Sequence, residues 1–178
     1  MRDSDRSQPI LSADDFLLRP WAVEDASWYV ESRDEEVFAW TTERRDLTVE
    51  ETEEGIRRAN SGSDAVCCAI ADRRSGQLLG NIALAFREDN RKSAEIMYWL
   101  APWARGRGIA TKAVMMLCTW AFDALELERV TLQTHAGNVR SQLVAQRAGF
   151  QRLEDQDGSG SAADHLWFVR MSDRGMAP

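Results

Sequence analysis

Short apolar runs, bounded by polar or glycine-containing turns, alternate along this chain with stretches that carry apolar residues at helical spacing. The apolar runs predict strands at residues 16–21, 66–71, 78–86, 95–100, 129–134, 150–153 and 165–171. Helical spacing and capping signals predict helices at residues 25–32, 34–40, 48–60, 106–125 and 138–148. This order predicts one mixed α/β domain over residues 14–178, with residues 1–13 as a loose polar lead-in.

Local signals sharpen three parts of this prediction. Ser32 and Glu35 have the spacing of a capping box, and Thr48 and Glu51 repeat it, so each pair predicts the start of a helix. The second and third apolar runs are joined by a short turn that contains glycine, which predicts a hairpin. Residues 87–92 are mostly polar and are predicted to form a loop.

The formal charge of −7 arises in the first half of the chain, where ten acidic residues lie between Glu31 and Glu54 against three arginines. Such a segment is either a solvated acidic face or a surface that attracts a cationic substrate such as an amine. The chain lacks the basic surface of a nucleic-acid-binding protein. No apolar run approaches the ~20 residues of a membrane span, so we expect neither nucleic acid nor a membrane as a partner.

Cysteine usage and the N-terminal sequence bear on the compartment. Cys67, Cys68 and Cys118 are odd in number and lack the spacing of metal ligands, which argues against a disulfide framework and against bound metal. The N-terminus, MRDSDRSQP, is polar and acidic, unlike a secretory signal peptide. We therefore predict a cytoplasmic protein without a metal.

The stretch from Ala94 to Thr111, AEIMYWLAPWARGRGIAT, combines a strand, a turn and the start of a helix. Its two glycines, Gly106 and Gly108, allow the backbone to approach a bulky ligand closely. The first turn of the following helix has unpaired N–H groups and the positive end of the helix dipole. Two arginines of the same segment add positive charge, so the stretch predicts a site for an anion such as a pyrophosphate.

A dinucleotide site is the alternative explanation of these glycines, with Glu126 or Glu128 as the acid that binds the ribose. Thr111 stands at the sixth position of that fingerprint, where a small Gly or Ala belongs. The motif also falls in the middle of the chain, and no second βαβ half follows it. These departures disfavour a dinucleotide site.

Residues 105–110, RGRGIA, resemble the R/Q-x-x-G-x-G/A acyl-CoA signature of the GNAT superfamily of acyl-CoA-dependent N-acetyltransferases. Farther along, GNVRSQLVAQRAGF (137–150) is similar to the closing helix of its Rim-type subgroup, the ribosomal-protein N-terminal acetyltransferases and their relatives. FLLRPWAVEDA (16–26) and AEIMYWLAP (94–102) also resemble that subgroup. The resemblance covers residues 14–171.

The resemblance implies the GNAT fold, which is a single mixed, mostly antiparallel central sheet flanked by helices, with splayed central strands that bind acyl-CoA. It implies an enzyme that transfers an acetyl group from acetyl-CoA directly to a primary amine. The Rim-type likeness favours a protein or peptide N-terminus as the acceptor, and a monomer or homodimer. A small amine (an antibiotic, a polyamine or an amino acid) is the alternative acceptor, and a non-catalytic acyl-CoA-binding sensor domain is the alternative to an enzyme.

The resemblance also implies roles for individual residues. Amides of the hexad would hold the CoA pyrophosphate, and a backbone amide around Leu100 would stabilise the oxyanion. The Asn138 side chain would bind the pantetheine arm, although a helix N-cap explains this residue equally well. The acetyl-CoA-binding residues expected in this way are Leu100, Arg105, Gly106, Arg107, Gly108, Ile109, Ala110, Thr111 and Asn138.

The catalytic groups are less well determined. Many superfamily members have, at the position of Ala145, a Tyr that protonates the leaving thiolate, and the resemblance suggests Ser141 as its substitute. Glu95 is the first candidate for the base that deprotonates the amine through water, and His135 is the second. Each of these residues also has a structural explanation. A helix cap explains Ser141, an exposed carboxylate on a strand explains Glu95, and a packed side chain explains His135.

Two further aromatic residues are assigned by context. Trp40 precedes the acidic helix in the region that, by the resemblance, forms the substrate wall, so it is predicted to line the acceptor pocket. His165 has no such context and is predicted to be structural.

Overall fold

One eight-stranded sheet runs through the structure, a computed structural model that describes residues 8–62, 65–87, 90–153 and 164–173. Its strands are β1 (Leu11–Ser12), β2 (Phe16–Pro20), β3 (Ala65–Asp72), β4 (Leu78–Arg87), β5 (Asn90–Leu100), β6 (Arg129–His135), β7 (Gln151–Arg152) and β8 (His165–Met171). The helices are α1 (Ala26–Glu31), α2 (Glu35–Trp40), α3 (Val49–Ser61), α4 (Ile109–Ala124) and α5 (Val139–Arg147). Short 3-10 turns, Val23–Asp25 and Pro102–Ala104, precede α1 and follow β5.

The strands lie in the order β1-β2-β3-β4-β5-β6-β8-β7. Every neighbouring pair is antiparallel except β5 and β6. These two are parallel because α4 carries the chain back between them, as a parallel connection requires. The predicted mixed α/β fold with a mostly antiparallel central sheet is confirmed.

Helices cover both faces of the sheet, and the alternating side chains of β3 show which helices lie on which face. Val66, Cys68 and Ile70 belong to the larger core, which is closed by α4 and α5. Ala69 and Ala71 belong to a second cluster, which includes residues of α1 and α3. Successive side chains of a strand point to opposite faces, so α1 and α3 lie on the face opposite α4 and α5.

The parallel pair of β5 and β6 separates part of the way along its length. Its register runs from Ser93↔Arg129 to Glu95↔Thr131 and stops there. β5 nevertheless continues to Leu100, and β6 continues to His135. The central strands are therefore splayed, as predicted.

Helix α4 begins three residues later than predicted, at Ile109. Gly106 and Gly108 have φ angles of 73° and 75°, which lie in the left-handed region that the α-helix cannot use. Both glycines therefore belong to the turn between β5 and α4, and Gly108 is the N-cap of the helix.

The described part of the lead-in is attached to the sheet, so the prediction of a loose segment is wrong there. Leu11 pairs with Leu18 in the β1–β2 ladder. The Gln8 side chain donates to Ala59 O at 2.8 Å and accepts from Cys67 N–H at 2.8 Å. These contacts tie residues 8–13 to the rest of the domain; residues 1–7 lie outside the described part.

Two local predictions also need correction. Asp34, rather than Ser32, is the N-cap of α2, and its carboxylate accepts from Val37 N–H at 3.1 Å. β4 and β5 form a long hairpin that includes much of the predicted 87–92 loop, since Arg87 pairs with Asn90. The capping box of Thr48 and Glu51 is confirmed at the start of α3.

In the part of the chain that the structure describes, no helix has the length and apolar character needed to cross a membrane. Within those same residues, no three His, Cys, Asp or Glu side chains are grouped so that they could hold a metal ion.

Two Gly→Ala substitutions should change stability in opposite directions. A Cβ at Gly80 would lie 2.3 Å from Trp99 O of the paired strand, so we expect Gly80→Ala to lower the free energy of unfolding by about 1–3 kcal/mol. A Cβ at Gly55 in α3 would meet nothing within 4 Å, so Gly55→Ala should raise it by about 0.5–1 kcal/mol. Urea denaturation measures both changes, and a Gly80→Ala variant as stable as Gly55→Ala would contradict the close β4–β5 contact.

Candidate active site

A cleft of about 960 Å³ opens where β5 and β6 separate. This volume lies within the range of small-molecule sites. The predicted site residues that line it are Trp40, Glu95, Leu100, Arg105, Gly106, Gly108, Ile109, Ala110, Thr111, His135, Asn138 and Ser141. Arg107 is exposed and is not among the lining residues.

The N-terminus of α4 points its backbone amides at one end of the cleft. The first hydrogen bond onto the helix is from Lys112 N–H to Gly108 O at 3.2 Å. The amides of residues 109–111 precede it, so they have no acceptor within the helix. Cβ atoms at Gly106 and Gly108 would meet no protein atom within 4 Å, so the space over this turn is open to a ligand.

Arg105 does not offer a free charge to an anion. Its guanidinium pairs with Asp34 at 2.7 Å and with Glu36 at 3.0 Å, and its Nε donates to Leu100 O at 3.1 Å. The hydrogen bond from Arg105 lowers the pKa of Asp34, so this carboxylate stays ionised. The positive charge is balanced within the protein, and the backbone amides are the groups of the turn that remain able to bind an anion.

The backbone amide of Leu100 faces the opening. Ala101 N–H donates to Leu79 O of β4 at 2.9 Å. Successive N–H groups of an extended strand point to opposite edges, so Leu100 N–H points toward β6. The two strands have already separated at this point, and a donor directed into the gap can stabilise a developing oxyanion.

The side chains of β5 divide between the two faces of the sheet. Trp99 stacks on Trp28 of α1 at 5.9 Å, and Glu95 points to the same face because it lies four residues earlier. Tyr98 points to the other face, where its hydroxyl contacts Ser141 of α5 at 3.1 Å. The proposed base and the proposed acid therefore lie on opposite sides of the cleft.

The first turn of α5 holds Ser141 at two points. Asn138 Oδ1 accepts from Ser141 N–H at 3.0 Å, which confirms Asn138 as the N-cap. The Ser141 hydroxyl accepts from Tyr98. Ala145 is fully buried one turn later, so the core occupies the position that carries a Tyr in many superfamily members. Sequence reasoning missed Tyr98, although strand alternation places it opposite Glu95.

Three aromatic rings form the other end of the cleft. His135 of β6 lies directly opposite His165 of β8, with ring centroids 4.6 Å apart. Trp40 lies 5.6 Å from the His135 ring. All three residues line the cleft, so His165, which was predicted to be structural, packs against His135 at the wall of the cleft.

The acidic segment is largely neutralised by arginines, and this weakens the argument for a strongly negative surface. Glu36 pairs with Arg140 as well as with Arg105, both at 3.0 Å. Glu43 accepts from Arg33 at 3.1 Å and from Tyr29 at 2.7 Å. Both carboxylates line the cleft, so the local field is smaller than the sequence suggests.

None of the three cysteines has the environment of a nucleophile. All are free, and burial raises the pKa of each thiol, to about 12 for Cys68 and Cys118. A covalent mechanism needs a thiolate, which is favoured by a lowered pKa. The cysteines thus provide no route through an acyl-enzyme, in agreement with direct transfer.

Thr134 provides a test of whether the cleft suits a polar ligand. Its side-chain oxygen is buried and has no hydrogen-bond partner among the described residues, and the residue lines the cleft. A buried hydroxyl without a partner is unfavourable, and an amide-containing ligand between β5 and β6 can supply one. The pantetheine arm of acetyl-CoA has this chemistry, so these residues fit the group.

Comparison with known proteins agrees with the geometry. Residues 15–151 match the family described as acetyltransferase (GNAT) domain. A Bacillus subtilis protein named as a candidate ribosomal N-acetyltransferase, YdaF, is 41% identical over 92 residues, which are 52% of this chain and 47% of that protein. An N-acetyltransferase 9-like protein of Caenorhabditis briggsae is 28% identical over 67% of this chain. The chain spans about half to two thirds of the length of these relatives, 47% and 66%.

Solved structures share the fold over almost their full length. The ribosomal-protein-S5-alanine acetyltransferase of Vibrio fischeri has a TM-score of 0.78 at 17% identity, covering 95% of this chain and 100% of that one. The spermidine N-acetyltransferase of Vibrio cholerae, in complex with CoA and spermine, has a TM-score of 0.77 at 17% identity, covering 93% and 100%. With the family match over residues 15–151, the protein belongs to the GNAT acetyltransferase family.

Proposed function

We propose that this protein transfers an acetyl group from acetyl-CoA to a primary amine, and that the amine is the N-terminus of a protein or peptide. The observation that carries the proposal is the splayed β5–β6 pair, which opens beside the bare amides of α4 and has Glu95 and Ser141 on its two sides. Acetyl-CoA supplies an acetyl group already activated as a thioester.

The chain provides binding groups along the whole cleft. The amides of residues 109–111 bind the pyrophosphate, helped by the dipole of α4. Thr134 and the backbone of the separated strands contact the pantetheine arm, and Leu100 N–H binds the thioester oxygen. The Asn138 oxygen is used by the helix cap, so its amide nitrogen is the group that would bind the same arm.

The acceptor nitrogen must lose a proton, because an α-amine with a pKa near 8, or a lysine amine near 10.4, is mostly protonated at neutral pH. The acceptor therefore arrives as a cation. Glu95 deprotonates it through water from the α1 face, with His135 as the alternative base. Trp40, His135 and His165 form the wall against which the acceptor lies.

Ser141 acts at the leaving group. Its hydroxyl lies on the α5 side of the cleft, where it contacts Tyr98, opposite Glu95. It donates a hydrogen bond to the sulfur as the C–S bond breaks. The proton that the amine loses balances the proton that the thiol gains. Three free cysteines fit a reducing compartment, so we place the reaction in the cytoplasm.

Gly108→Trp should abolish tight acetyl-CoA binding. The bulky side chain covers the α4 amides, and the loss of hydrogen bonds to charged phosphate, about 1.5–3 kcal/mol each, lowers affinity by about tenfold or more. Gly76→Trp is the matched control, because Gly76 has a φ of 74°, equally open surroundings and a place outside the cleft. Calorimetric titration with acetyl-CoA measures both, and equal affinity in the two variants would refute the phosphate site.

The identity of the acceptor can be tested with a mixture of amines. Mass spectrometry follows acetylation of a mixture of peptides with free α-amines, N-blocked peptides with one lysine, and small amines including spermidine. We expect mass to be added to the free α-amines. Addition only to a small amine would replace the proposed acceptor, and no product at all would refute the proposed activity.

With that acceptor, Glu95→Gln should lower kcat by about 10²-fold or more. The amide cannot take up a proton, although its shape is unchanged. Glu128→Gln makes the same change at an exposed site outside the cleft and should retain kcat. If His135→Gln causes the loss and Glu95→Gln does not, His135 is the base.

A further inference from the structure

Tyr98 is a half-buried tyrosine that lines the cleft and has no role in the catalytic scheme above. It lies on β5 beyond the point at which β5 and β6 separate, and its ring packs against the main core. Its hydroxyl oxygen is 3.1 Å from Ser141 Oγ, although the two residues are 43 positions apart in sequence. The contact joins the splayed strand to the first turn of α5.

The direction of this hydrogen bond decides what Tyr98 can do. A phenol is a stronger acid than an alcohol, so it is the better donor of the two. A serine hydroxyl has one proton to donate and two lone pairs that accept. When Tyr98 fills one lone pair of Ser141, the Ser141 proton is left to point at another acceptor, and the cleft is the open direction.

We propose that Tyr98 is a positioning residue, which donates to Ser141 Oγ and so directs the Ser141 proton at the sulfur of the leaving group. This inference rests on the proposed function, because it assigns a partner to the Ser141 hydroxyl that is proposed to act at the leaving group. It gives a physical reason for a serine to serve where Ala145 replaces the usual tyrosine. The tyrosine hydroxyl is present in the cleft, but it comes from β5 and acts through Ser141.

Burial raises the pKa of Tyr98 to about 12, and this separates positioning from proton transfer. The hydroxyl remains protonated, and thus remains a donor, at any working pH. A thiol has a pKa near 8.5, so net proton transfer to the departing thiolate is unfavourable from the Tyr98 phenol and, because an alcohol is a weaker acid than a phenol, still more unfavourable from Ser141. Tyr98 therefore keeps its proton during the reaction.

The bonds and protons balance in this scheme. The amine nitrogen forms the C–N bond, and Leu100 N–H stabilises the electron pair that moves onto the carbonyl oxygen. When that pair returns, the C–S bond breaks, its electrons stay on sulfur, and the Ser141 hydroxyl donates a hydrogen bond to them. The proton given up by nitrogen to Glu95 equals the one that sulfur finally takes up from water. Both hydroxyl groups end as they began.

A double-mutant cycle tests the coupling. We expect Tyr98→Phe to lower kcat by about tenfold, as the loss of one well-placed hydrogen bond predicts, with an unchanged Kd for acetyl-CoA. Ser141→Ala should cause a larger loss, and Tyr98→Phe should cause no further loss when Ser141 is already Ala. Losses that multiply in the double mutant would overturn the proposal.

Tyr29→Phe is the matched control, because Tyr29 is the other tyrosine of the chain and also has a bound hydroxyl, to Glu43 at 2.7 Å. It should keep kcat within about twofold. Full kcat in Tyr98→Phe, together with a defect in Ser141→Ala, would overturn the positioning role and leave the proposed function intact. Full kcat in Ser141→Ala would overturn both assignments, and no acetylation by the unmodified protein would refute the function itself.

Discussion

The separation of β5 from β6 is the constraint on which the rest of this molecule depends. Their parallel ladder ends at Glu95 and Thr131, and backbone N–H and C=O groups beyond that point no longer have the neighbouring strand as a partner. Such groups must be satisfied in another way. A ligand with its own amides can complete the ladder, which is why the opening is a binding site instead of a defect in the sheet.

The same separation opens a connection between the two faces of the sheet. Elsewhere the sheet isolates the α1–α3 face from the α4–α5 face, and each has its own core. At the gap, the proposed base Glu95 from one face and the proposed hydrogen-bond donor Ser141 from the other can reach a single bond. Strand alternation alone then assigns Glu95 to one side and Tyr98 to the other. The spacing of side chains along β5 is thus part of the proposed chemistry.

Arg105 connects this gap to α2, whose last residue is Trp40. Its guanidinium contacts Asp34 and Glu36 at the start of α2, and its Nε holds the carbonyl of Leu100. A planar guanidinium with five donors suits such a junction better than lysine does. The residue that begins the acyl-CoA signature therefore fixes α2 relative to the end of β5. Its positive charge is neutralised by the carboxylates at the start of α2 that it contacts.

The sequence was informative where the signal is local. The capping box at Thr48, the cap at Asn138, the strand and helix order and the glycine turn all follow from neighbouring residues. It was misleading where a distant partner decides the outcome: Arg105 meets Asp34, and His165 meets His135, through pairings that no local pattern contains. The prediction of a loop at residues 87–92 was wrong for another reason, since pairing in a hairpin can override low apolar content.

The acidic segment shows why charge counted along a chain is a weak guide to a substrate. Glu36 and Glu43 line the cleft, yet each accepts from an arginine, so little net charge remains to attract a cation. In the proposed function, selection of the acceptor then rests on shape and on the rings of Trp40, His135 and His165. These rings lie on α2, β6 and β8 and contact one another, with centroids 5.6 Å apart for Trp40 and His135 and 4.6 Å apart for His135 and His165. Under the proposed function, a wall of this kind favours an amine whose neighbouring atoms can lie flat against it, as the first residues of an extended peptide can.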